Sequence, residues 1–159
     1  AITINFPTPQ PKAKYAKKRL VHVDHLMLYR PLFAANATVT LRTDSKPLRD
    51  YALGQFAAAG YDTLWVSDDV RRDHPEHPET EYERRTREMG AVVYGICATP
   101  GAEPTEEQLA AGRAQEQSLA CYLPDNLDEL AYVPLGMEEA VENFRNRARK
   151  GKKRLPQEH

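Results

Sequence analysis

Cysteine is scarce in this chain. Cys97 and Cys121 are the only two in 159 residues, with no Cys-x-x-Cys pair and no histidine beside either. That usage supports neither a disulfide framework nor a zinc finger. No run approaches the ~18 consecutive apolar residues of a membrane span. No apolar stretch at the start resembles a secretory signal, so a cytoplasmic protein with no membrane partner is the expectation. Glycine is sparse as well, 8 in all, and GxGxxG, GxxxxGK[ST] and GxSxG are absent. Dinucleotide and P-loop sites need such glycines to let the backbone approach phosphates, which argues against both. What remains is a globular chain long enough to bury a core without staples.

Charge is balanced in sum and uneven in place. The net charge is -1, yet residues 1–60 carry 9 basic and 3 acidic groups, residues 61–136 carry 6 and 16, and residues 137–159 carry 7 and 4. Two basic ends thus flank an acidic centre, a polarity that bears on association.

Along the chain, Pro7, Pro9 and Pro11 followed by Lys12, Lys14, Lys17, Lys18 and Arg19 predict an extended basic arm over 1–19, because proline removes donors and the charges resist burial. The run Leu20 to Tyr29 is apolar enough for a strand or a short helix. Thr38 to Leu41 alternates as a strand, and Asp44 or Ser45 caps a helix with Pro47 in its first turn. Leu48, Tyr51, Ala52, Phe56 and Ala59 form that helix's apolar stripe, and Gly60 ends it. Tyr61 to Val66 reads as an interior strand covered on both faces. A charged helix over 79–89, a strand over 91–97, a helix from Pro104 to about Ala120, a short strand at Cys121 to Leu123 and a final helix with Met137, Ala140, Val141, Phe144 and Ala148 follow. Alternating strands and helices predict a single α/β domain over 20–150 with a small, mostly parallel sheet flanked by helices, α+β being the alternative. Residues 151–159 read as a basic tail beginning at Gly151.

Three groups of residues carry candidate chemistry. Asp44, Asp68 and Asp69 stand at predicted strand ends, where open sheets bind ligands. Were they to converge, they would suit Mg²⁺ and a metal-assisted hydrolase; otherwise no cofactor is expected, and capping is the simpler role for such residues. His74 and His77 are three apart, a candidate metal pair, although Pro75 and Pro78 disfavour a helix that would align them. His22, His25 and Cys97 read as packing residues. Lys17, Lys18, Arg19, Arg145, Arg149, Lys152, Lys153 and Arg154 are candidate phosphate contacts. The expected function is therefore a nucleic-acid-associated accessory or regulatory protein, DNA-binding or RNA-binding. A protein-binding module or inhibitor using the acidic centre is the second reading, and the hydrolase the third. Opposite charges on one molecule also make self-association into a homo-oligomer an expectation.

Overall fold

Sequence signals for the central helix act locally, and the chain obeys them. In the computed structural model, which describes residues 1–154, Ser45 caps helix α2 (Lys46–Ala58) by accepting from the Leu48 N–H at 3.3 Å, and Pro47 sits in its first turn. Gly60, with φ of +74°, turns the chain out of the helix. Leu48, Tyr51, Ala52 and Phe56 are fully buried against the sheet, each large side chain contributing roughly 1.5–3 kcal/mol of apolar burial. Gln55, also fully buried, fastens α2 to its neighbours. It accepts from the Val23 N–H at the start of α1 (Val23–Tyr29) and donates to the Gly112 carbonyl in α5 (Glu106–Ala114), both at 2.8 Å.

The sheet has four strands in the order β1-β2-β4-β3, with β1 (Ile2–Asn5), β2 (Val39–Thr43), β3 (Tyr61–Ser67) and β4 (Tyr94–Pro100). Strands β1 and β2 pair in parallel, and β4 runs antiparallel to both β2 and β3. Three strands therefore point one way, and a single reversed strand separates β2 from β3. The result is the expected α/β domain with helices flanking the sheet, but the sheet is mixed, with one parallel and two antiparallel pairings, where a mostly parallel one was expected. Every residue of β2 is buried, as a central strand requires.

Several local expectations are corrected. Residues 1–19 do not form a free arm. Ile2 to Asn5 make the edge strand β1, with Ile4 buried, and Ala13–Lys18 form a 3₁₀ turn. Residues 61–66 form an edge strand, with Leu64 56% and Val66 46% exposed, because β4 occupies the interior position. The Leu20 to Tyr29 run resolves as a helix. Cys121 to Leu123 is no strand; Leu119–Tyr122 is a 3₁₀ turn whose Leu119 N–H reaches the Pro11 carbonyl at 3.0 Å. Helix α5 ends at Ala114, short of the expected Ala120. Helix α6 (Glu138–Arg154) continues through Gly151, where a tail was expected to begin; residues 155–159 of that tail lie outside the described residues. No helix among the described residues is long and apolar enough to cross a membrane.

Candidate functional site

Because β1, β2 and β3 run in one direction, their carboxyl ends open on the same side of the sheet. Beyond β1 the chain enters Phe6-Pro7-Thr8-Pro9-Gln10, and both ends of this loop are strained. Phe6 has φ of +47° and Gln10 of +50°, a region that side-chain-bearing residues avoid at a cost of about 1–3 kcal/mol each. The surroundings hold the strain in place. The Phe6 N–H donates to the Arg42 carbonyl at 2.7 Å, and its ring lies 4.8 Å from that of Tyr82. On the other side, buried Arg19 donates from Nε to the Pro9 carbonyl at 3.1 Å and from Nη2 to the Gln10 carbonyl at 2.7 Å. Its guanidinium also covers the Tyr51 ring at 4.5 Å. Arg19, predicted to meet phosphates, is thus occupied internally, since the loop's carbonyls give it better partners than water does.

Asp44 stands at the end of β2, 7% exposed. Its Oδ2 accepts from Tyr132 at 2.9 Å and from Tyr82 at 3.2 Å. Burial and the Asp44 charge push the Tyr82 phenol up to about 12 and raise that of Tyr132 as well, so both hydroxyls remain donors. A cleft of about 270 Å³ joins Asp44 and Tyr82 to Phe6, Pro7, Thr8 and Pro9, and is closed by Leu135 and Gly136. Gly136 has φ of +88°, and a Cβ there would approach Pro9 Cδ to 3.1 Å, so a side chain would crowd the loop. The arrangement presents one oriented carboxylate beside aromatic surface, suited to a flat ligand carrying N–H donors.

The other two aspartates take no part in it. With β4 between β2 and β3, the ends of those strands are two strand spacings apart, about 10 Å. Asp68 is held by Arg49 Nη2 at 2.6 Å, a hydrogen bond that lowers its pKa. Asp69 caps the four-residue helix α3 (Val70–Asp73) through the Arg72 N–H. The three carboxylates thus do not converge, so the condition under which they would have suited Mg²⁺ is not met. The histidine pair fares differently: His74, Glu76 and His77 gather on the connection between α3 and α4 (Glu81–Glu88). Cys97 is buried and contacts Thr40 Oγ1 at 3.5 Å. His22 caps α1, and His25 meets the Arg19 carbonyl.

Of the predicted phosphate contacts, Lys17 and Lys18 are exposed on the 3₁₀ turn that follows the strained loop. Lys14 and Lys18 each lie 4.9 Å from the Tyr15 ring. On α6, Arg149 is exposed and Arg145 half-buried, and Lys152, Lys153 and Arg154 fall on the helix's last turns. A larger cavity, about 450 Å³, lies where Gln10 to Tyr15 meet α6, with Lys12, Tyr15 and Arg147 on its walls. Lys12 pairs with Glu139 across it at 3.0 Å. Phe6, Tyr82 and Tyr132 were not anticipated; the two tyrosines lie 38 and 88 residues from Asp44, where no local pattern reaches.

The first 96 residues match the sequence model of a family described as "Putative methyltransferase". The chain is also similar to curated proteins named tRNA (guanine-N(7)-)-methyltransferase. That of Streptococcus equi subsp. zooepidemicus (strain MGCS10565) is 33% identical over 97 residues, 60% of this chain and 46% of the relative. That of Exiguobacterium sibiricum is 32% identical over 99 residues, 62% and 46% respectively. That of Alkaliphilus oremlandii (strain OhILAs) is 34% identical over 98 residues, 61% and 46%. The chain spans about half the length of the curated relatives it matches. Apart from Leu135 and Gly136, the residues of the Asp44 cleft fall within the matched range, whereas the larger cavity draws much of its wall from beyond it.

Proposed function

Since the chain belongs to this methyltransferase family, we propose that it serves methylation of a guanine in tRNA, with the Asp44 cleft receiving the acceptor base. Family membership overturns the functions expected from charge and strand-end carboxylates. An accessory or regulatory nucleic-acid protein, DNA-binding included, a protein-binding module and a metal-assisted hydrolase all give way to a group-transfer enzyme family.

The chemistry asks little of the protein beyond placement. Guanine N7 carries an in-plane lone pair and needs no base to free it. Alkylation leaves the ring cationic, so a carboxylate that accepts from the guanine's N–H groups binds more strongly as charge develops. Asp44 suits that role, because Tyr82 and Tyr132 both hold Oδ2 and orient the carboxylate. The Phe6 and Tyr82 rings offer surface for a base. Lys14, Lys17 and Lys18 on the adjoining turn suit backbone phosphates. The methyl donor is another matter: the described residues do not fit one. The turns after β1, β2 and β3 contain no glycine. Pro7, Pro9 and Pro47 remove backbone donors, and the Ser45 and Asp69 side chains already occupy N–H groups at the starts of the following helices.

The observation that carries this reading is the Asp44 carboxylate, oriented by Tyr82 beside a strained, clamped loop, all inside the family-matched residues. The test uses tRNA mobility shifts across a salt series, with label transfer from S-adenosylmethionine read as 7-methylguanosine after digestion. Asp44→Asn should weaken tRNA affinity about tenfold, as loss of one charged hydrogen-bond acceptor for the base does. Each of Lys14→Glu, Lys17→Glu and Lys18→Glu should flatten the slope of log affinity against log salt by about 0.7–0.9 for every phosphate left without its cation. Absence of tRNA binding above a polyanion control, together with no 7-methylguanosine, overturns the reading.

A further inference from the structure

The connection between α3 and α4 brings together three side chains that the acceptor cleft does not use. His74 Nδ1 lies 3.4 Å from Glu76 Oε1, and His77 Nε2 lies 3.9 Å from the same oxygen. One ligand atom from each residue falls within 4.8 Å of the others. A tetrahedral zinc with bonds of about 2.0–2.1 Å places its ligands about 3.3 Å apart. The first pair nearly has that spacing, and the second needs a side-chain movement of roughly 0.6 Å to reach it.

The loop is braced rather than loose. The His77 N–H donates to the His74 carbonyl at 3.1 Å, closing a turn. Arg71 Nη1 donates to the His77 carbonyl at 2.8 Å and Arg42 Nη1 to the Pro78 carbonyl at 3.0 Å. Both arginines are held by Glu83, which is fully buried. The His74 ring is stacked on Trp65 at 3.9 Å and 26°, and His77 meets the same indole edge-on at 5.8 Å. Pro75 and Pro78, which block a helix, here set the turn that lets both rings converge.

We propose that His74, Glu76 and His77 form a binding site for a late first-row divalent cation of the zinc class, fastening the α3–α4 connection. Two imidazoles and one carboxylate match the ligand preferences of Zn²⁺, Ni²⁺ and Cu²⁺ rather than those of Mg²⁺ or Ca²⁺. Three protein ligands leave a coordination position for solvent. The neighbouring guanidiniums oppose a dication, so the bound ion exchanges with solution instead of being locked in.

Trp65 is the only tryptophan in the chain, and its indole packs against both histidine ligands, which supplies the readout. Tag-free protein, stripped of metal, is titrated with Cu²⁺ while indole emission is followed; closed-shell Zn²⁺ is then added in large excess as competitor, because Cu²⁺ binds such ligands more tightly. The expected result is saturable quenching at one ion per chain, reversed by Zn²⁺. His77→Gln and Glu76→Gln should each weaken the apparent affinity about tenfold or more, whereas His25→Gln, whose ring meets the Arg19 carbonyl, should leave it unchanged. Far-UV circular dichroism verifies that each variant is folded. Quenching that does not saturate, that Zn²⁺ does not reverse, or that survives both ligand substitutions in folded protein overturns the site.

Discussion

Replacing Glu83 with alanine leaves the Arg42 guanidinium in the interior without its carboxylate. Glu83 receives Arg42 Nη2, Arg71 Nε at 3.1 Å and Arg71 Nη2 at 2.8 Å. The two arginines respond differently to its loss. The Arg71 side chain is 20% exposed and can turn toward water, whereas that of Arg42 is 2% exposed and cannot. Arg42 Nε already lacks a partner, so Pro78 O would remain its one hydrogen-bond acceptor. Removing one member of such a buried pair costs about 3–5 kcal/mol, mostly because the remaining charge is stranded. For a domain of this length that corresponds to a fall in Tm of roughly 10–15 °C. Urea denaturation followed by Trp65 emission and far-UV circular dichroism measures it. The double variant Arg42→Met/Glu83→Ala should recover half of the loss or more, since an apolar side chain leaves no charge to strand. A single-variant loss below about 1 kcal/mol, or a double variant no more stable than the single, would refute the assignment of the energy to Arg42.

Two further effects follow from the packing. Burial pushes the Tyr61 phenol up to about 12 against the opposing Arg30 charge, and its hydroxyl donates to the Leu26 carbonyl at 2.6 Å. Its folded pKa is raised above the unfolded value near 10, so its contribution is complete below pH 10 and is lost as pH rises toward 12. The shift amounts to roughly 2–3 kcal/mol. The stability gap between wild type and Tyr61→Phe, measured in urea, should narrow by about that amount over this window, and a gap independent of pH contradicts the linkage. At Gly95, an added Cβ would lie 2.5 Å from Val70 Cγ2 and 2.9 Å from the Trp65 ring. With Val70 fully buried, Gly95→Ala should cost about 1–3 kcal/mol in a thermal melt and shift Trp65 emission; an unchanged melting curve would mean that β3 and β4 can separate freely.

What could be read from the sequence was what acts over a few residues. The cap at Ser45, Pro47 in the first turn, the stripe ending at Ala59 and the turn at Gly60 specify α2 locally. Strand order is set at a distance. Leu64-Trp65-Val66 has the composition of an interior strand, but the chain reverses at β4, which takes the interior position and leaves β3 at the edge. Ile2 to Asn5 went unseen because four residues beside three prolines and a lysine run carry no periodicity; their strand character comes from pairing with β2. Asp44 was legible as a strand-end carboxylate, but Tyr82 and Tyr132, which orient it, were not. Arg19 was misread for a related reason. A basic run looks solvated until a strained loop, folded back over it, presents carbonyls that no other donor meets.

That same chain reversal explains why the acceptor cleft and the histidine loop lean on one residue. Arg42 lies in the central strand, opposite Asn5 of β1 on one side and Gly95 of β4 on the other. Its carbonyl accepts from the Phe6 N–H and so anchors the start of the strained loop, while its guanidinium reaches the Pro78 carbonyl and Glu83. Backbone and side chain of one buried residue thus brace two separate loops. Losing Glu83 removes the carboxylate that holds Arg42 and Arg71 beside the histidine loop but leaves the strand pairing, and with it the Phe6 anchor, intact. In a Glu83→Ala protein that remains folded, Cu²⁺ affinity should therefore fall more than tRNA affinity, because Glu83 holds both arginines that brace the histidine loop, whereas the cleft keeps its backbone anchor at Phe6. Equal losses at both sites would mean that the whole sheet end, rather than Arg42 alone, carries the coupling.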